Sequence, residues 1–177
     1  YAPLFGNVNP GGMQWPTDLI GYDTLTSYGS PAFYAQAMFN KYRGDQILTA
    51  TGAGIPTFAP PAPPARGGRG GAGGGTGGSE VPSLYYVCTR DSKTGKVYLN
   101  LVNQLGTPQP VHIDLKGVAL VNPNGQVVTM KADSLTDTNS ITDPTKIVPV
   151  TSNVTGLSSS FDETLAPYSI NIFEIGT

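Results

Sequence analysis

The run Leu84-Tyr85-Tyr86-Val87-Cys88-Thr89, the polar stretch Arg90-Asp91-Ser92-Lys93-Thr94-Gly95-Lys96 and the run Val97-Tyr98-Leu99-Asn100-Leu101-Val102 decide the fold class. Two stretches rich in aromatic and β-branched residues flank a polar segment with a glycine near its end, the pattern of an antiparallel hairpin. Side chains alternate faces along a strand, so Val97, Leu99 and Leu101 point one way and Tyr98, Asn100 and Val102 the other. Downstream, Val111-His112-Ile113-Asp114-Leu115 alternates in the same manner and puts His112 and Asp114 outside. Further strands are expected at residues 118–121, 127–132, 147–150, 160–165 and 169–175. The last carries Ile170-Asn171-Ile172-Phe173-Glu174-Ile175, an alternating strand that closes the fold. Many short strands with polar turns specify a mainly β protein, an antiparallel β-sandwich.

Composition points the same way. Glycine and proline make up 39 of 177 residues, well above an ordinary combined share of about 12%. Charged residues are 12%, about half the usual proportion. A long helix or a coiled coil is excluded. The net charge of −2 gives no electrostatic basis for a nucleic-acid partner. No apolar run approaches the roughly 20 residues a membrane-spanning helix needs, so no membrane partner is expected. One cysteine, Cys88, rules out an internal disulfide framework, and one histidine argues against a His/Cys metal site. No cofactor is expected. The chain begins at Tyr1 rather than methionine and reads as a fragment or processed piece.

Residues 1–45 form a separate zone. Leu4-Phe5-Gly6-Asn7-Val8 reads as a short strand, followed by turns through Pro10-Gly11-Gly12. Ser30-Pro31 is a helix start: a capping hydroxyl, then a proline whose missing N–H is not needed. Phe33, Tyr34, Ala37, Met38 and Tyr42 recur at helical spacing, which predicts one helix over residues 31–42. Lys41 and Arg43 suit its C-terminal dipole, and Gly44 is the expected stop. Residues 59–79 differ again, with nine glycines and four prolines. Such a tract buries too little to offset its ordering entropy and reads as a flexible insertion. Arg66 and Arg69 without an aromatic neighbour do not make an RNA-binding tract.

Few side chains offer chemistry. Glycoside hydrolysis needs two opposed carboxyl groups, and the glutamates are Glu80, Glu163 and Glu174. Asp162 and Glu163 are adjacent on a strand and therefore face opposite ways. His112 and Asp114 share a face and read as a surface polar pair. Cys88 packs as a small apolar residue. Gly11-Gly12 lacks the lysine-serine ending of a phosphate loop. Asn153-Val154-Thr155 matches the N-glycosylation pattern. Trp15, Tyr22, Tyr28, Phe33 and Tyr34 group near the N-terminus, where core filling outweighs sugar stacking as the expected use.

An ordered series of segments resembles the C-terminal third of the family 51 α-L-arabinofuranosidases. It runs through Tyr1-Ala2-Pro3-Leu4-Phe5-Gly6-Asn7-Val8-Asn9, Gln14-Trp15, Asp18-Leu19-Ile20-Gly21-Tyr22, Ser27-Tyr28-Gly29-Ser30-Pro31 and Tyr34-Ala35-Gln36-Ala37-Met38-Phe39. It resumes at Asp137-Thr138-Asn139-Ser140-Ile141, at Pro144-Thr145-Lys146-Ile147-Val148-Pro149-Val150 and at Leu165-Ala166-Pro167-Tyr168-Ser169-Ile170. The resemblance implies that residues 1–45 are the last strand and helix of a (β/α)8 barrel. Residues 46–177 would then be the C-terminal β-sandwich, jelly-roll-like, with its insertion at 59–79. It further implies Asn7, Gln14 and Trp15 as substrate-binding residues at the barrel mouth. The family's two catalytic glutamates would lie on earlier strands, so no catalytic residue is expected in this chain. The implied parent is a retaining hydrolase that releases terminal arabinofuranosyl groups from arabinan or arabinoxylan. Its partners would be the N-terminal barrel portion and an arabinose-containing polysaccharide, in an extracellular or periplasmic setting. A non-catalytic carbohydrate-binding or structural module, a family member recruited to a structural role, and one chain of a nicked or two-chain glycosidase remain as alternatives.

Overall fold

A computed structural model describes residues 4–12, 19–60 and 79–177. The chain opens with β1 (Phe5–Asn7), β2 (Ile20–Tyr22) and β3 (Ser27–Gly29), followed by the helix α1 (Pro31–Lys41). Next come β4 (Gln46–Leu48), β5 (Thr57–Phe58), β6 (Val81–Pro82), β7 (Leu84–Arg90) and β8 (Val97–Asn103). The remaining strands are β9 (Gln109–Asp114), β10 (Asn124–Lys131), β11 (Val150–Thr155), β12 (Ser160–Leu165) and β13 (Ser169–Ile175).

The predicted hairpin is present, with β7 and β8 paired antiparallel from Leu84↔Asn103 to Arg90↔Val97. Its loop is tied by Asp91, whose carboxylate accepts from the Lys93 and Thr94 N–H groups. Gly95 sits at φ +74, where an L side chain would be strained. The hairpin belongs to a six-stranded sheet in the order β11-β10-β13-β8-β7-β4. A second layer is the antiparallel pair β9-β12. Leu99, Leu101, Phe173 and Ile175 from the large sheet meet Ile113, Phe161 and Leu165 from the small one. The Phe161 and Phe173 rings, 6.3 Å apart and edge-on, belong to this inner cluster.

The opposite face of the large sheet is covered by α1. Ser30 caps the helix, its hydroxyl accepting from the Phe33 N–H at 3.2 Å, and Pro31 follows at the first helical position. Met38, 2% exposed, packs with Val128, Met130 and Ile172, flanked by Tyr34, Ala35 and Tyr42. The helix therefore matches its expected span and has its partner in the sandwich. Gly44 acts differently from the expected helix stop. A Cβ there would lie 2.1 Å from the Arg90 carbonyl oxygen, so glycine lets the chain pass against the end of β7.

Burial on both faces changes the reading of β13. Ile170 and Ile172 face the helix cluster while Phe173 and Ile175 face the inner core. The strand is central in a covered sheet, between β10 and β8. Its polar residues are also buried and paired: Thr129 Oγ1 donates to Asn171 Oδ1 at 3.0 Å, and Asn171 Nδ2 donates to Ser169 Oγ at 2.9 Å.

Two expected strands are not strands. Residues 118–121 are irregular: Gly117 turns the chain at φ +80, and Pro123 beyond has no N–H to give a ladder. Residues 147–149 are also irregular, and pairing begins only at Val150. The Asn139 side chain takes both the N–H and the C=O of Ile147, removing them from any sheet. Conversely, β2 and β3 were not anticipated. Each has three residues and a glycine, too short for a period to register.

The glycine-proline tract leaves and returns at one point. Thr57 pairs with Pro82 and Phe58 with Val81, and Thr57 donates to the Glu80 carboxylate. Residues 61–78 lie outside the described residues. Because β5 and β6 already close the base, replacing residues 61–78 by a short Gly/Ser linker should change stability by less than about 2 kcal/mol. Urea unfolding measures it; a larger loss would show that the tract packs against the protein.

Candidate functional site

Asn7 ends β1, which runs parallel to β2 with Asn7 opposite Tyr22. Its Oδ1 accepts from the Asn9 N–H at 2.9 Å, and Gly12 lies against the same amide: a Cβ there would be 3.1 Å from Asn7 Cγ. The side chain thus shapes the turn that leaves the strand. Gln14 and Trp15 lie outside the described residues.

The strand pair and the helix behind it are fastened to the sandwich by Asn139, 1% exposed. Its Nδ2 donates to the Gly29 carbonyl at 2.8 Å and to the Ile147 carbonyl at 2.9 Å. Its Oδ1 accepts from the Ile147 N–H at 2.7 Å. One amide joins the β3–α1 junction to a loop more than a hundred residues later, and holds Ile147 against Met38. Asn139 lies in a segment that carries the family resemblance, but nothing in the sequence marks its role. Its partners are backbone groups, whose identity leaves no side-chain pattern to read.

A second constellation forms on the solvent side of β9 and β12. His112 Nδ1 lies 2.7 Å from Asp162 Oδ1, directly across the strand pair. Ser160 Oγ lies 3.1 Å from His112 Nε2 and donates to Asp114 Oδ1 at 2.7 Å. The order Ser–His–Asp resembles a nucleophilic triad. The hydrogen bonding does not. The serine proton goes to the Asp114 carboxylate, and Nε2 also lies 3.4 Å from that carboxylate. His112 thus stands between two carboxylates, an arrangement that favours its protonated form and does not set it as a base for Ser160. The hydrogen bond to Asp162, with a further contribution from the Asp114 charge, holds the imidazole pKa above its ordinary value. The Ser160 hydroxyl, and then His112, hold that of Asp114 below its own. The ring and both carboxylates are more than half exposed, so the site excludes no water.

The remaining candidates separate. Asp162 and Glu163 do face opposite sides, with Glu163 on the same face as Phe161 and Leu165. Glu174 is held by Lys96. Burial pushes the Cys88 thiol up, away from a reactive thiolate. Asn153 is exposed on the edge strand β11, its Oδ1 3.5 Å from Gln126 Nε2. Among the described residues, no group of three or more His, Cys, Asp or Glu side chains is arranged to hold a metal ion.

The whole arrangement has a counterpart in known proteins. A family model for the α-L-arabinofuranosidase C-terminal domain matches residues 1–169. The chain belongs to that family. Alpha-L-arabinofuranosidase 1 of Arabidopsis thaliana is 24% identical over 183 residues, covering 99% of this chain and 23% of the relative. Alpha-L-arabinofuranosidase A of Aspergillus niger is 25% identical over 174 residues, covering 97% and 22%. The arabinose-bound MgGH51 α-L-arabinofuranosidase superposes with a TM-score of 0.77 at 26% identity, over all of this chain and 24% of that one. The thermostable GH51 enzyme of Thermotoga petrophila gives 0.71 at 14% identity, covering 89% and 31%, and shares the fold. This C-terminal domain spans less than a quarter of the curated relatives it matches.

Two outcomes follow for the domain. Asn139→Ala would orphan the Gly29 carbonyl and both Ile147 backbone groups, and should destabilise the protein by about 3 kcal/mol in urea unfolding. A change within about 0.5 kcal/mol would mean that water replaces the amide. For His112, NMR titration should give a pKa above its ordinary value. A group raised in the folded state stabilises fully below its unfolded pKa of about 6.5 and loses that contribution as pH rises through the folded pKa. The stability difference between wild type and His112→Asn should therefore be largest below about pH 6.5 and fade as pH rises through the folded pKa. A difference independent of pH would contradict a raised imidazole pKa.

Proposed function

We propose that this domain is the C-terminal portion of a retaining α-L-arabinofuranosidase that releases terminal arabinofuranosyl groups from arabinan or arabinoxylan. The observation that carries the reading is the family match across residues 1–169, which takes in β1–β3 and α1 together with the sandwich. In this reading residues 1–45 are the last strand and helix of a (β/α)8 barrel, and the rest of the barrel belongs to the larger protein. Exposed Leu4 and Phe5 on and beside β1 are apolar surface suited to burial against such neighbouring strands. The parent works outside the cytoplasm, in an extracellular or periplasmic space where its polymeric substrates occur.

The division of labour follows from the chemistry. A retaining site opposes two carboxyl groups about 5–5.5 Å apart across the glycosidic bond. In this chain Asp114 and Asp162 converge on His112, whose ring stands between them, and Glu163 turns away. The nucleophile and the acid/base are therefore assigned to the barrel. Asn7 closes the turn at the strand end assigned to the barrel mouth, and Gln14 and Trp15 are assigned with it as substrate-binding residues.

The test compares this chain with its full-length parent on an aryl α-L-arabinofuranoside. The parent should turn over and the chain alone should not. In the parent, Asn7→Ala should lower kcat/KM by about tenfold or more, since misplacing a positioning loop by an ångström can cost about a hundredfold. His112→Ala and Glu163→Gln should leave it within about twofold. Turnover by the isolated chain that vanishes with Glu163→Gln would overturn the assignment.

A further inference from the structure

We propose that the outer face of the large sheet, beyond the end of α1, binds a neutral, hydroxyl-rich saccharide chain in a groove; the choice of a saccharide rests on the carbohydrate-active parent proposed above. The groove follows from strand register. Tyr98 on β8 pairs with Glu174 on β13, Glu174 with Gln126 on β10, and Gln126 with Asn153 on β11. Residues paired across antiparallel strands share a face, so these four side chains stand in one row across four adjacent strands. They are spaced by the strand separation of about 4.8 Å, the scale of a sugar ring. The same residues from Glu174 to Asn153, with Asn122 and Asn124 at the rim, border a groove of about 520 Å³, within the range of about 300–1,000 Å³ typical of ligand sites.

Its chemistry selects the ligand class. The Lys96 ammonium is bound to the Glu174 carboxylate, so the one cation and the one anion of the groove answer each other. What remains is mainly amide: Asn124, Gln126 and Asn153, each with a carbonyl oxygen and an NH2 that match sugar hydroxyls as donor and acceptor, and Asn122, whose oxygen already accepts from the Asn124 N–H. The contact from Gln126 Nε2 to Asn153 Oδ1 is long at 3.5 Å, which leaves both groups available. At one end of the row Tyr98, with the Tyr42 ring 6.5 Å away, supplies an aromatic surface. An acidic polymer would meet no unpaired cation in this groove, and a peptide adding to β11 would use the strand edge rather than this face.

Affinity electrophoresis of the full-length parent in gels containing debranched arabinan, arabinoxylan or polygalacturonate tests the proposal. The parent is made in a bacterial host without N-glycosylation, because a glycan at Asn153 would fill the groove. Retardation is expected in arabinan or arabinoxylan and not in polygalacturonate. The Gln126→Ala/Asn153→Ala double variant, exposed at both positions and checked for an unchanged Tm, should bind at least about fivefold more weakly. Equal retardation of variant and wild type would assign all binding to the active site and overturn the groove. No retardation of the parent in either neutral polymer would overturn it as well, and stronger retardation in polygalacturonate would replace the saccharide class with an anionic one. Hydrolysis of an aryl arabinofuranoside by the same preparation reports separately on the enzyme reading.

Discussion

Burial of Met38 against the outer face of the large sheet is the contact on which the arrangement of this domain depends. The helix is only eleven residues long, near or below the length at which an isolated helix holds its shape in water. Its stability comes from packing, and one fully buried methionine contributes about 1.5–3 kcal/mol by area alone. Met38 lies with Val128, Met130 and Ile172 from two central strands and with Ile147 from a loop. Asn139 keeps that loop in place by hydrogen-bonding both backbone groups of Ile147 and reaching across to Gly29. The apolar contact and the amide contribute on the same scale, and the amide also supplies direction, since buried carbonyls left unpaired would each be costly.

The sandwich is organised around β13 for a related reason. Its two faces serve two different cores, with Phe173 and Ile175 turned to the small sheet and Ile172 to the helix. Such a strand must be central, and it lies between β10 and β8. The first unit and the sandwich are consequently not independent pieces. Removing α1 would uncover Ile172, which is fully buried, so the helix is as much a layer of the sandwich as a piece of the proposed barrel.

Much of the fold was legible residue by residue. The β7–β8 hairpin announces itself through alternation and a glycine that tolerates positive φ. The helix announces itself through Ser30-Pro31 and a 3.6-residue apolar period. The strands at residues 160–165 and 169–175 were read within their observed limits. The two strands expected but not found share one cause. Residues 118–121 and 147–150 are apolar enough for strands, but apolarity reports burial, not hydrogen-bond partners. Val121 and Ile147 are indeed buried, in loops. The candidate site was less legible. His112 and Asp114 were visible as a pair two residues apart, whereas the closer partner, Asp162, is fifty residues away and meets His112 only through the β9–β12 register.

Local pattern was enough for the class of fold, the helix that follows Ser30 and the family resemblance. These properties rest on local period, local composition and ordered motifs, which a chain carries whether or not it is folded. Tertiary structure alone decided which loop would be pinned by Asn139, that β13 would be covered on both faces, and that an exposed Ser–His–Asp row would set its histidine between two carboxylates. It also decided that Tyr98, Glu174, Gln126 and Asn153 would stand in one line. Each of these depends on groups far apart in the chain being brought to hydrogen-bonding distance, and that distance is set by strand register and packing, which no local pattern encodes.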